Sequence, residues 1–581
     1  MSVVTVRPGP AQAGASAGPP PRARRRHATP AGWLLMAVIA ALTLSPVAAM
    51  LYGSVSSGLF TPGSGVSVDA LQKVYTSSEA FKSLGVTFAL AIAVGVLSTI
   101  LGGAFAWLLA RTDTPARKLM EFIVIAPIFT SPLIAALAWF SLASPRSGLL
   151  NVILGDMLGH HVEFFNVTSL KGIVFVLVLH FEPYAYLLIV SAFRNMDASL
   201  EEASFLNGSG TFATLRRVTI PMAFPSIGSA CLFIVVLTAG EFSVPAVLGL
   251  NLPVVPLPVL IYRAINGYTP DYPRAASLGT MLFLVSLVFF FLYRRMTRLE
   301  KRFVTISGRG FVARRTRLGA FRPVVAAGIV IYGIVGFLLP LASLVFTAIT
   351  PYAQRDLSHV KFTPGDVGTI LTSADFTNAL TNTLKVVAAT GAICILLAFA
   401  GAFVAKQVGG YVGTSLDYLS SLPLAIPAIV VGAGLIWIYV RTPLYATLSL
   451  LVIGLVTLYI PHAYRVLRNG LMQLDRQLEE ASFMNGAGTL RTTGRITGPL
   501  LVPAIFSALM LVVIFSLREV NVVVLLYSPT SRVLSVLTWE FIDNGALPSA
   551  ATLGLVQTLM LMVALVVGRI LFRTNISSSY R

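Results

Sequence analysis

The chain has 581 residues, 56% of them hydrophobic and 11% charged, with a mean hydropathy of +0.82. Soluble domains carry about 25% charged residues, so the composition excludes an ordinary soluble enzyme and points to an integral membrane protein. The net charge of +19 fits basic loops flanking membrane spans better than a nucleic-acid surface.

Residues 1–30 are rich in Pro, Ala, Gly and Arg, including Arg22, Arg24, Arg25 and Arg26, and read as a disordered basic tail. The following apolar stretch is too long for a secretory leader and reads as a first span. Apolar runs at about 32–54, 84–110, 119–142, 171–195, 225–249 and 275–293 make six predicted spans. A basic connector, Arg294 to Arg322, follows. Six more runs lie at about 323–350, 381–405, 418–440, 446–466, 503–527 and 549–571. The expected fold is thus an all-α integral membrane protein with twelve transmembrane helices. Its expected segments are a tail (1–30), a six-helix unit (31–295), a linker (296–322) and a second six-helix unit (323–575).

Lys and Arg near span ends set orientation. The tail, the 111–118 turn, the connector, Lys406, Arg569 and Arg573 fall on one side, so both termini are expected in the cytoplasm. Cys231 and Cys394 lie in apolar runs and imply neither a disulfide framework nor a metal site.

The two halves repeat. "EEASFLNGSG" begins at Glu201 and "EEASFMNGAG" at Glu479, an offset of 278, and 15 of 27 positions match over 201–227 against 479–505. An even number of spans per half makes this a parallel repeat about an axis along the membrane normal. Each copy reads as helix, turn, helix. Asp197 and Asp475 suit an N-cap, and Gly208, Gly210, Gly486 and Gly488 can close the helix in left-handed backbone. The short second segment is expected to end at Pro221 or Pro499, with the next span starting near Pro225 or Pro503. Exposed loops normally diverge between repeats. Identity concentrated in two such loops therefore points to two matching external partners.

Both stretches resemble the EAA loop of ABC importer permeases. Glu202-Ala203-Ser204, Gly208, Val218 and Ile220-Pro221 fit that pattern in the first copy; Glu480-Ala481-Ser482, Gly486, Ile496 and Gly498-Pro499 fit it in the second. Ser replaces the second Ala in both, and Gly498 stands where Leu is expected. The resemblance implies a type I importer architecture in which each loop is a coupling helix seated in a groove of an ATP-binding subunit. The implied docking residues are Glu201, Glu202, Ala203, Gly208 and Gly210, with Glu479, Glu480, Ala481, Gly486 and Gly488. No Gly-x-x-x-x-Gly-Lys-Ser/Thr stretch occurs in the sequence. ATP and magnesium are therefore expected on two separate ATP-binding subunits, with no cofactor on this chain. The remaining implied partners are an extracytoplasmic solute-binding protein and the bilayer, with no nucleic acid. The location is a bacterial inner or plasma membrane.

The fused two-copy form, with "AGEFSVPAVLG" after the first loop, resembles ferric iron permeases; thiamine, phosphonate and polyamine permeases are the alternatives. Glu241 and Glu519 share the 278-residue offset. Carboxylates inside a membrane are costly and usually face a cavity or a partner, so the pair either flanks a translocation path or anchors helix ends. Glu182 in "HFEPYAY" is a third path candidate, with Ile460 as its counterpart. His180 reads as a core histidine. His160 and His161, near Asp156 and Glu163, read as loop residues. Pro183 and Pro461 are expected to break or kink their spans. A competing reading is an ion-gradient-driven carrier with Glu241 and Glu519 as proton carriers; the paired docking loops argue against it.

Overall fold

A computed structural model describes residues 30–58, 65–160, 163–250, 252–303, 316–352 and 361–572. Residues 1–29 of the expected disordered tail, His161, Arg573 and the central part of the linker lie outside the described residues, while Pro30, expected at the tail's end, opens the first helix. Every regular element among the described residues is helical. The first half contains α1 (Pro30–Ser54), α2 (Ser78–Arg111), α3 (Arg117–Ile125), α4 (Pro132–Ala143), α5 (Leu170–Asn195), α6 (Ala198–Leu206), α7 (Ile220–Ala239), α8 (Ser243–Leu248) and α9 (Tyr272–Phe303). The second contains α10 (Arg322–Gly333), α11 (Leu339–Ala348), α12 (Ala374–Val408), α13 (Gly410–Leu419), α14 (Ala428–Tyr439), α15 (Leu448–Gln473), α16 (Arg476–Met484), α17 (Gly498–Arg518), α18 (Val523–Leu526) and α19 (Leu547–Phe572).

Ten helices among the described residues are long and apolar enough to cross a membrane. Two bent pairs bring the count to twelve: the third expected span turns by 93° between Phe129 and Pro132, and the ninth by 105° between Ala425 and Ala428. Proline causes both breaks. Pro127 and Pro132 flank the first, Pro423 and Pro427 the second, and each removes a backbone donor that a straight helix needs. Ser131 then caps α4 by accepting the Ile134 N–H at 3.3 Å. Pro183 and Pro461, by contrast, sit inside uninterrupted helices, α5 and α15.

The sequence places span starts near Pro225 and Pro503; both instead lie inside α7 and α17. The helix begins earlier because a π-turn at Leu215–Thr219, matched by one at Thr493–Thr497, joins the loop segment directly to the span. A π-turn shifts the hydrogen-bond register, which accommodates the missing donor of Pro221 or Pro499.

The halves exchange their first helices. α1 packs on α14 and α9, and α11 packs on α4 and α19. Gly434 makes the first exchange possible: a Cβ there would overlap the Pro46 carbonyl of α1, so only glycine lets the backbones approach this closely. One apolar core runs through both halves, from Met50 and Val94 to Leu526 and Trp539.

Candidate functional site

Two places carry the symmetric polar residues. The first is the pair of loops. Asp197 caps α6 by accepting the Ser199 N–H at 2.9 Å, and Asp475 caps α16 by accepting the Gln477 N–H at 3.0 Å. The bonds from Ser199 hold the Asp197 carboxyl below its ordinary range. Gly208 and Gly486 take φ of +78° and +77°. That left-handed turn lets Ser209 N–H reach the Ser204 carbonyl at 3.1 Å and Ala487 N–H reach the Ser482 carbonyl at 3.2 Å, closing each helix.

The two helices present matching faces. Leu206 and Met484, equivalent under the 278-residue offset, are each 88% exposed; Leu200 and Leu478 are 46% and 47% exposed. Glu202, Ala203, Glu480 and Ala481 share this exposed side, and open space surrounds Gly208, Gly210, Gly486 and Gly488. Glu201 and Glu479 do not join them. They are 8% and 5% exposed and turn into the bundle. Glu201 lies 3.7 Å from Arg111 at the end of α2 and accepts the Thr219 hydroxyl at 2.7 Å. Glu479 accepts Lys406 at 3.1 Å, at the end of α12, and the Thr497 hydroxyl at 3.3 Å.

The second place is a cavity of about 250 Å³ between the halves. Glu241 and Glu519 both line it. They sit not within long helices but at the breaks just after α7 and α17. Each carboxylate receives the start of the short segment that follows. Glu241 accepts the Ser243 N–H at 3.0 Å, and Glu519 accepts the Val522 N–H at 3.2 Å and the Tyr459 hydroxyl at 2.5 Å. The Phe242 N–H donates across the halves to Asn521 Oδ1 at 3.3 Å.

The cavity is twofold in its carboxylates but not in its cation. Arg518 lines it at the position where the first half has Gly240. Its guanidinium turns from neighbouring Glu519 and donates to the Ile128 carbonyl at 3.0 Å and lies 2.8 Å from His180 Nε2. His180 is therefore a core histidine that also borders the cavity, and its Nδ1 has no hydrogen-bond partner. Sequence reasoning missed Arg518 as a cavity residue; the signal was a lone cation beside a carboxylate at the end of an apolar run. Glu182 is fully buried, bonded to the Tyr332 hydroxyl of α10, and is not among the cavity-lining residues. Among the described residues no group of three His, Cys, Asp or Glu could hold a metal ion.

A twelve-span, two-half bundle with paired capped helices at one end and a charged cavity between its halves has the build of a membrane permease. The chain belongs to the family of binding-protein-dependent transport system inner membrane components, which matches residues 102–302 and again 397–575. It is a permease of the ABC importer class and a multi-pass membrane protein. It is similar to the ferric transport system permease protein FbpB of Actinobacillus pleuropneumoniae, 25% identical over 81% of this chain and 68% of that one. It is also similar to the putative ferric transport system permease protein FbpB 1 of Haemophilus influenzae, 25% identical over 82% of this chain and 75% of that one. The sulfate transport system permease protein CysT of Synechocystis sp. is 25% identical over 47% of this chain and 90% of that one.

Proposed function

We propose that this chain is the transmembrane permease subunit of an ATP-driven importer that carries ferric iron, delivered by an extracytoplasmic binding protein, into the cytoplasm. The observation that carries the reading is the pair of carboxylates, Glu241 and Glu519, facing one cavity between the halves. Hard trivalent cations favour oxygen ligands, and two relatives that match most of this chain are ferric permeases by name. Two ATP-binding subunits dock on α6 and α16, whose exposed apolar residues match in pairs. The loops and both termini then face the cytoplasm, in keeping with the basic residues beside them.

A second reading, an oxyanion cargo such as a phosphonate or sulfate, has its own observation: Arg518 lines the cavity with its guanidinium held by a carbonyl and a histidine, and forms no ion pair with a carboxylate among the described residues. One experiment separates them. The chain, purified with its ATP-binding subunits and reconstituted with its binding protein, is given radiolabelled ferric iron or radiolabelled sulfate and ATP. Uptake of iron and not sulfate is expected. Uptake of sulfate alone would overturn the iron assignment while leaving the importer class intact.

A further inference from the structure

The family resemblance counts Glu201 and Glu479 with the residues that meet the ATP-binding subunit, yet their side chains turn away from that surface. Each makes the same two contacts in its own half. One is to a basic residue ending the second long helix of that half, Arg111 of α2 or Lys406 of α12. The other is to the threonine closing the π-turn, Thr219 or Thr497. One further bond flanks each clamp: Ser204 to Thr214 at 2.9 Å in the first half and Ser482 to Thr492 at 2.8 Å in the second. The basic partners differ in type and do not share the 278-residue offset, so the arrangement is set by position in the fold rather than by copied sequence.

What the clamp holds gives it a use. Thr219 immediately precedes α7, and Glu241 follows α7 by two residues. Thr497 immediately precedes α17, and Glu519 directly follows it. A helix of this length spans about 30 Å. Each clamp therefore ties a docking helix to a rod whose far end carries a cavity carboxylate. A buried, charge-assisted bond resists shear far better than an exposed pair, because breaking it strands a charge.

We infer that Glu201 and Glu479 are positioning residues that transmit movement of the docking helices through α7 and α17 to the cavity, and do not themselves bind the ATP-binding subunits. The inference rests on the docking reading above. Movement of α6 then shifts Thr219 and the base of α7 as one body, and both halves respond alike.

The test uses the full chain with its ATP-binding subunits in proteoliposomes, with ferric iron as the probe. In Glu201→Gln plus Glu479→Gln, the subunits should co-purify as in the wild type and ATP hydrolysis should stay within about twofold. Iron imported per ATP hydrolysed should fall on the order of tenfold. Lys406→Glu combined with Glu479→Lys should recover coupling that Glu479→Lys alone loses. Thr219→Val plus Thr497→Val removes one hydrogen bond from each clamp, should cause a smaller loss, and carries the test if the glutamine variant does not fold. Loss of co-purification in the glutamine variant would make these residues docking contacts and overturn the inference. So would unchanged transport per ATP. A wild-type chain that never retains an ATP-binding subunit would instead defeat the docking reading itself, and this inference with it.

Discussion

Trp539 donates its indole N–H to the Tyr262 hydroxyl at 3.1 Å, joining the second half to the first. Phe242 packs on both rings, with centroids 4.7 Å from Tyr262 and 5.2 Å from Trp539. Phe242 directly follows Glu241, so the aromatic trio adjoins the cavity carboxylate. The trio packs the two halves together beside the cavity.

Weakening this trio should make the membrane leak. Trp539→Phe loses the hydrogen bond and keeps most of the volume, whereas Trp539→Ala removes a buried ring and costs about 3–5 kcal/mol of packing. Passive solute flux through proteoliposomes without ATP is expected to rise in the order wild type, Trp539→Phe, Trp539→Ala. Equal flux in all three would show that the trio seals nothing.

The cavity carboxylates separate two roles by one substitution. Glutamine keeps an acceptor for the Ser243 and Val522 N–H groups but removes the charge. If the pair contacts a cation, Glu241→Gln plus Glu519→Gln should cut iron uptake by at least about tenfold, the factor that 1.4 kcal/mol represents, with ATP-binding subunits still attached. Uptake within twofold of wild type would reduce both residues to helix anchors.

Gly208 and Gly486 should tolerate Asn better than Val. Their left-handed backbone costs an ordinary L-residue about 1–2 kcal/mol, and Asn is among the few that visit it. A Cβ meets nothing within 4 Å at either site, so backbone strain and a partner's surface are what a substitution tests. Gly208→Val plus Gly486→Val should lose co-purified ATP-binding subunit, while the Asn pair retains more of it. Pull-down stoichiometry reads the difference.

Tyr332→Phe should destabilise the contact between the halves. It leaves the fully buried Glu182 without its one hydrogen-bond donor. An abandoned buried polar group costs about 1–3 kcal/mol. The melting temperature in detergent should fall, and the double variant Tyr332→Phe plus Glu182→Leu should regain part of the loss. No change in either would mean the bond contributes nothing.

Hydropathy was enough to count the spans, because crossing a bilayer demands about 20 apolar residues wherever the chain goes. The repeat, the two capped loops and the left-handed Gly208 and Gly486 were equally legible, since caps and turns are local chemistry; Gly210 and Gly488, also expected to be left-handed, are not, because the turn is already closed two residues earlier and Gly210 is extended at φ −71°. The two bent spans were not: Pro127, Pro132, Pro423 and Pro427 stand in the sequence, but prolines also lie inside the unbroken α5 and α15, so only backbone geometry reveals which of them turn a corner. The continuous Thr211–Ala239 helix also escaped, because a π-turn leaves no compositional trace.

Sequence alone identifies a membrane-embedded, twofold-repeated chain with paired capped loops that resemble those of importer permeases. Those features are written in periodicity, composition and nearest-neighbour motifs. What each charge does is set by contacts between distant helices. Adjacent glutamates at 201 and 202 are chemically identical, yet about 100° of helix rotation turns one toward Arg111 and the other outward. Glu182 meets a tyrosine 150 positions away, and Arg518 meets a histidine 338 positions away. Such pairings depend on which helix surfaces meet when the halves exchange their first helices, and no local pattern encodes that.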